Sequence, residues 1–193
     1  MPDRRPSRQP QRRRDAVRPS ARRVAQEVVL GVDLDDAYAN LLLPARIREA
    51  GLDAQDAGFA TELTYGALRW QGQLDAVIAA AAGRPVDEID PTTRSVLRIA
   101  VQQLARMRVP AHAAVHESIE LLGDHRGRRG FANAVLRKVA STPVDDQVDA
   151  IARTMADDDA LALRAAHPTW VVRALRRSLD AEGHETLVKA FGA

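Results

Sequence analysis

The chain has 193 residues, 46% of them hydrophobic, and a formal net charge of +2, which suits one domain with tails or one domain and part of a second. It has no cysteine, so disulfides, thiolate metal sites and a cysteine nucleophile are excluded within it. Aromatics are only 4% and alanine is abundant, a mixture that favours helix over sheet. No apolar run is long enough for a bilayer and the N-terminus does not read as a secretory signal, so the expectation is a soluble cytoplasmic protein.

The small net charge hides an asymmetry. Residues 1–23 hold nine arginines against Asp3 and Asp15, so that stretch carries +7 and the remainder −5. A basic arm on a mildly acidic body points to a polyanionic partner. Residues 1–19, rich in proline, serine, glutamine and arginine, read as a disordered arm, because they cannot bury enough apolar surface to offset ordering.

From Pro19 and Ser20 the pattern turns helical. Ala21, Val24, Ala25 and Val28 follow helical spacing, and the first helix is expected to run to about Gly31. A second starts near Asp35–Asp36 and uses Tyr38, Leu41 and Leu42, and Pro44 is expected to kink or break it before Ile47. Asp53 opens a third, through Phe59, Leu63, Ala67, Trp70, Leu74 and Ile78, with Gly72 as a candidate break. The fourth has the clearest start, Asp90 as N-cap and Pro91 at the first helical position. Its Val96, Leu97, Ile99, Ala100, Val101 and Leu104 cover most of the circumference, which places it in the middle of a bundle. Pro110 begins a fifth helix with Val115, Ile119 and Leu122. Gly123–Gly130 reads as a short basic loop. A sixth helix carries Phe131, Val135, Leu136 and Val139, and Pro143 closes the unit. Residues 144–166 read as a helical linker with an acidic run at Asp157–Asp159, and His167-Pro168-Thr169-Trp170 start another helix. The expectation is an all-α bundle of six to seven helices over residues 20–141, between the arm (1–19) and a truncated helical extension (142–193). No segment alternates with a period of two.

Two strings resemble a known family: Pro110-Ala111-His112-Ala113-Ala114-Val115-His116-Glu117-Ser118-Ile119-Glu120-Leu121, and Gly130-Phe131-Ala132-Asn133-Ala134-Val135-Leu136-Arg137-Lys138-Val139. With Asp90-Pro91 through Leu97-Arg98-Ile99-Ala100 they are similar to the NusB fold family. Its members are transcription antitermination factors and the N-terminal domain of the Sun/Fmu (RsmB) ribosomal RNA methyltransferases. Tyr65-Gly66-Ala67-Leu68-Arg69-Trp70 and His167-Pro168-Thr169-Trp170 look like the methyltransferase branch. That resemblance implies an RNA-binding part of a 16S rRNA cytosine-C5 methyltransferase. It also implies a Rossmann-like domain with S-adenosylmethionine and catalytic cysteines beyond this chain, and neither cofactor nor catalytic residue within it. The alternatives are an antitermination factor with a ribosomal-protein partner, or a protein-interaction bundle with no RNA role.

The candidate RNA contacts are arginines. Arg12, Arg13 and Arg14 in the arm offer charge without interleaved aromatics, hence mostly sequence-blind phosphate binding. Arg18, Arg22 and Arg23 stand at the first helix start, where the resemblance places RNA contacts; Arg22 and Arg23 are expected to stay exposed. Arg126, Arg128 and Arg129 sit in the basic loop, beside glycines that let backbone approach a ligand. Arg98, on a largely buried helix, needs an acidic partner, and Glu117 or Glu120 is the candidate. Asn133 reads as a capping or packing residue near a helix start, Arg69 is ambiguous, and Trp70 and Trp170 read as core. His112 and His116 have a spacing zinc can use but no third ligand, so no metal is expected.

Overall fold

The computed structural model describes residues 20–179 and 181–192, and within them every regular element is a helix. Helix α1, Ala21–Asp35, starts at Ser20, whose hydroxyl accepts the Arg23 N–H at 3.2 Å. It passes straight through Gly31. A Cβ there would come within 3.0 Å of Leu42, so this glycine allows a close approach to the next helix and does not end the first. Helix α2, Ala39–Ala50, runs unbroken through Pro44, against the expected break. The proline lacks the N–H that would reach the carbonyl four residues back and its ring crowds that carbonyl, but both Pro44 and Asn40 are exposed, on a side of the helix open to water.

Helices α3, Ala54–Arg69, and α4, Gln71–Ala82, are separated at Trp70, two residues before the expected Gly72. A single 3-10 turn, Val86–Glu88, leads into α5, Pro91–Arg106, with the Asp90 carboxylate accepting the Thr93 N–H at 3.1 Å. Then follow α6, Ala111–Glu120, and α7, Arg126–Val139. The C-terminal helices are α8, Val144–Ala152, α9, Asp157–Arg164, α10, Thr169–Ser178, and α11, Ala181–Gly192. No helix is long and apolar enough to cross a membrane among the described residues.

Helix α5 is the axle. It packs against α1, α3, α4, α6, α7 and α8, and Val96, Leu97, Ile99, Ala100 and Val101 are fully buried. The core around it includes Val29, Leu63, Leu74, Ile78, Ile119 and Leu136, and continues past Pro143 to Val144 and Val148 of α8. A second apolar cluster joins α1, α2 and α3 through Val24, Val28, Leu43 and Ala60. Gly66 of α3 faces Gln102 of α5 so closely that a Cβ would overlap its side chain.

The buried arginines of α5 are paired internally. Arg98, 3% exposed, donates to both oxygens of Asp75 at 2.7 and 2.8 Å and to Asp33 at 3.0 Å. Arg94 donates to the other Asp33 oxygen and to the Val86 carbonyl. The expected partners Glu117 and Glu120 are not used. Helix α6 packs on the Gln103 side of α5, where Gln103 donates to Ser118 at 3.1 Å. Five residues separate Arg98 from Gln103, which puts them on different sides of a helix with 3.6 residues per turn. Farther along, Arg106 lies 4.7 Å from the half-buried Trp70 ring and bonds Gln73 and Asp145. Gln73 donates to the carbonyls of Leu163 and Arg164, which docks the end of α9. Trp170, expected in the core, is 69% exposed. Val172 takes the inward position, and two residues along a helix turn a side chain to the opposite side.

Removing Asp75 leaves Arg98 buried with one of its three hydrogen bonds, so Asp75→Ala is expected to cost about 3–5 kcal/mol in denaturant unfolding. Burial raises the Asp33 pKa, but hydrogen bonds and charge from Arg94 and Arg98 outweigh it and hold the carboxyl below the ordinary range. A depressed carboxyl contributes stability that is present above its unfolded pKa and lost as pH falls through the folded one. Stability should therefore fall steeply below about pH 4, and Asp33→Asn, weaker at neutral pH, should show a shallower acid limb. Gly66→Ala is expected to cost about 1–3 kcal/mol by overpacking, with Gln102→Ala in the same chain restoring part of the loss.

Candidate nucleic-acid interface

Arginines capable of meeting phosphate lie at two helix starts, those of α1 and α7. At the α1 start, Arg22 is half-buried, not exposed as its sequence position suggests. Its Nε donates to Gln103 at 2.8 Å and its guanidinium lies 5.0 Å from the Phe59 ring centroid. Burial lowers its pKa, opposed by the charges of Glu117 on α6 and Asp56 on α3. Arg23 is also partly covered, with a long 3.5 Å bond to Gln26. Gln26 in turn donates to Ser95 at 3.0 Å, fixing this turn to α5. Arg12, Arg13, Arg14 and Arg18 lie outside the described residues.

The expected basic loop is shorter than its sequence suggests. Helix α7 begins at Arg126, five residues before Phe131, so Arg126, Arg128 and Arg129 occupy its first turn. The glycines at 127 and 130 hid the helical spacing. Arg126 is exposed. Arg128 sits 3.5 Å from Asp90, the N-cap of α5, with both side chains at least a third exposed. Arg129 bonds Glu120 of α6 and the Gly123 carbonyl. That hydrogen bond holds the Glu120 carboxyl below the ordinary range. No side chain caps this helix start at His125, and the first-turn amides of a helix have no intrahelical acceptor, so they add positive potential to the same spot.

The charge of Glu117 on α6 acts on Arg22, and Glu120, one turn farther along the same helix, bonds Arg129. His112 and His116 of α6 are exposed. His116 Nδ1 lies 3.7 Å from Glu117, and no group of three or more His, Asp or Glu side chains gathers for a metal among the described residues. Between α6 and α7 runs a groove of about 330 Å³ lined by Val115, His116, Ile119, Glu120, Arg129 and Asn133, with Gly130 at its edge. Asn133 is the eighth residue of α7 and faces this groove, not a helix start. Its signal in the sequence was a pair of four-residue steps, His116 to Glu120 and Arg129 to Asn133, which put each pair on one helix face. Phe131 is covered by Arg84 at 4.4 Å from its ring centroid.

Arg69 lies elsewhere, in a cleft of about 430 Å³ between the α3–α4 corner and α8–α10, with Asp75, Asp159 and His167 among its lining. That mixture of charges does not favour a polyanion. A Rossmann-type cradle for S-adenosylmethionine needs strand ends and a glycine-rich turn; no strand occurs among the described residues.

Comparison with known proteins follows the same lines. A protein of Mycobacterium tuberculosis provisionally named a methyltransferase is 44% identical over 165 residues, which are 83% of this chain and 36% of that protein. The probable ribosomal RNA small subunit methyltransferase B of Bacillus subtilis is 31% identical over 175 residues, 88% of this chain and 37% of that protein. The ribosomal RNA small subunit methyltransferase B of Vibrio cholerae is 33% identical over 149 residues, 76% of this chain and 32% of that protein. The chain therefore spans about a third of the length of the curated relatives it matches. A chain in a crystal structure of a plectonemic RNA supercoil shares the fold, with a TM-score of 0.59 and 21% identity over 63% of this chain and 91% of that one. Residues 19–141 match the model of the NusB family, and the chain belongs to that family.

Proposed function

We propose that this chain is the RNA-binding part of a methyltransferase that places a methyl group on C5 of a cytosine in small-subunit (16S) ribosomal RNA, working in the cytoplasm. In this reading S-adenosylmethionine and the catalytic groups belong to a domain outside this chain, and the helical bundle grips RNA and positions it. The observation that carries the reading is the placement of arginines at two helix starts, Arg22 and Arg23 on α1 and Arg126, Arg128 and Arg129 on α7. The likeness to small-subunit rRNA methyltransferases over most of the chain supports the substrate class.

The carboxylates that hold Arg128 and Arg129 do not argue against phosphate binding. Asp90 and Glu120 are themselves 36% and 49% exposed, and exposed ion pairs contribute only about 0–1 kcal/mol. A phosphate can replace either partner at that small cost and gains a bidentate arginine contact. Arg126 and Arg23 require less rearrangement still, since neither is paired with a carboxylate among the described residues. Arg22 is the different case: stacked on Phe59 and bonded to Gln103, it orients the α1 start more than it offers a free charge. Arg12, Arg13, Arg14 and Arg18 precede that same start in the chain.

Fluorescence anisotropy with a single-stranded 16S rRNA fragment tests this. The affinity should fall by at least about tenfold between 50 and 200 mM salt, with a log–log slope near −0.7 for each phosphate engaged. The triple variant Arg23→Glu/Arg126→Glu/Arg128→Glu should weaken binding by more than about tenfold at low salt and flatten the slope. Salt-independent affinity, or a triple variant that binds like the parent, contradicts the reading.

A further inference from the structure

The groove between α6 and α7 has a different chemistry from the arginine-bearing turn next to it. Its floor is apolar: Ile119 is 8% exposed and Val115 half-buried. Its sides are polar and of mixed character. Asn133 offers an amide donor and an amide acceptor side by side, and His116 presents a flat ring on the opposite wall. One end is closed by the Glu120–Arg129 pair. A volume of about 330 Å³ lies at the small end of the range for ligand clefts. A flat heteroaromatic ring with apolar faces and a hydrogen-bonding edge matches these walls; a phosphate, which needs donors on all sides, does not.

Arg129 belongs to both features. It sits in the first turn of α7 with Arg126 and Arg128, and it closes the groove. A backbone held by that turn therefore brings its attached sugar and base to the mouth of the groove. Single-stranded RNA is read in this manner, by bases splayed out of the stack into protein clefts. We propose that the α6–α7 groove holds one unstacked nucleobase of a single-stranded RNA whose phosphates lie on the first turn of α7. The groove then supplies a contact to the base, which the arginines alone cannot make. This rests on the RNA-binding reading above.

Two fluorescent probes of equal charge separate the groove from the turn: a mixed-sequence single-stranded RNA octanucleotide, and the abasic ribose-phosphate octamer. The wild-type chain should bind the base-bearing probe at least about fivefold tighter, since base contacts add to the phosphate contacts both probes share. Asn133→Ala, which empties one wall, and Val115→Trp, which fills the groove, should each bring the ratio of the two affinities close to one, with circular dichroism confirming retained helix. Arg126→Glu/Arg128→Glu should instead weaken both probes together. A wild-type ratio of one, or a ratio that survives both groove variants, overturns the base site and leaves the phosphate reading standing. Failure of the wild-type chain to bind either probe overturns both.

Discussion

Arg98 is buried in the middle of the bundle and carries a full charge, so the helices around it must bring carboxylates to meet it. Asp33 comes from the end of α1 and Asp75 from the second turn of α4, while Arg94 on the preceding turn of α5 shares Asp33. One guanidinium thereby fixes three helices at once. Hydrophobic contacts alone would let α1 slide along α5 at little cost, since alanine and valine supply most of that surface. The paired charges admit one register. Burial lowers the Arg98 pKa and the two carboxylates more than restore it, so the guanidinium keeps its charge although it is buried.

That register decides where the other end of α1 falls. With Asp33 pinned, Gln26 reaches Ser95 and Arg22 reaches Gln103, whose amide also bonds Ser118 of α6. The start of α7 is set from its own side, through Arg128 to the N-cap of α5 and Arg129 to the end of α6. The basic ends are thus positioned by interactions that run through α5. The same helix anchors the C-terminal helices, through Arg106 to Gln73 and Asp145 and from Gln73 to the end of α9. A rigid scaffold carrying exposed charge on a helical first turn gives better-defined geometry than a flexible basic loop would.

Much of this was legible in the chain. Asp90-Pro91, Ser20 and Asp53 are helix-start signals with a direct mechanism, and each caps a helix. The apolar circumference of α5 correctly placed it at the centre. What failed did so for identifiable reasons. Pro44 was tolerated because its missing donor faces water. Gly127 and Gly130 lowered the helical signal over the first turn of α7 without preventing it. Arg98 was assigned the wrong carboxylates because pairing depends on which side of α5 each neighbour packs, and sequence separation carries no such information. Trp170 was read as core because a large aromatic on an apolar stripe usually is, whereas Val172 is the buried residue of α10. The groove residues His116 and Asn133 gave only a faint periodic signal, since neither type is diagnostic alone.

The central claim is that RNA meets one face of the bundle, made by the starts of α1 and α7 together with α6. Hydrogen–deuterium exchange of the chain with and without a saturating single-stranded rRNA fragment maps that face directly. Protection should concentrate in residues 20–26, 111–120 and 125–133, and leave α8, α9 and α10 unchanged. Protection centred on the α8–α10 cleft, or spread evenly over the surface, would contradict the account.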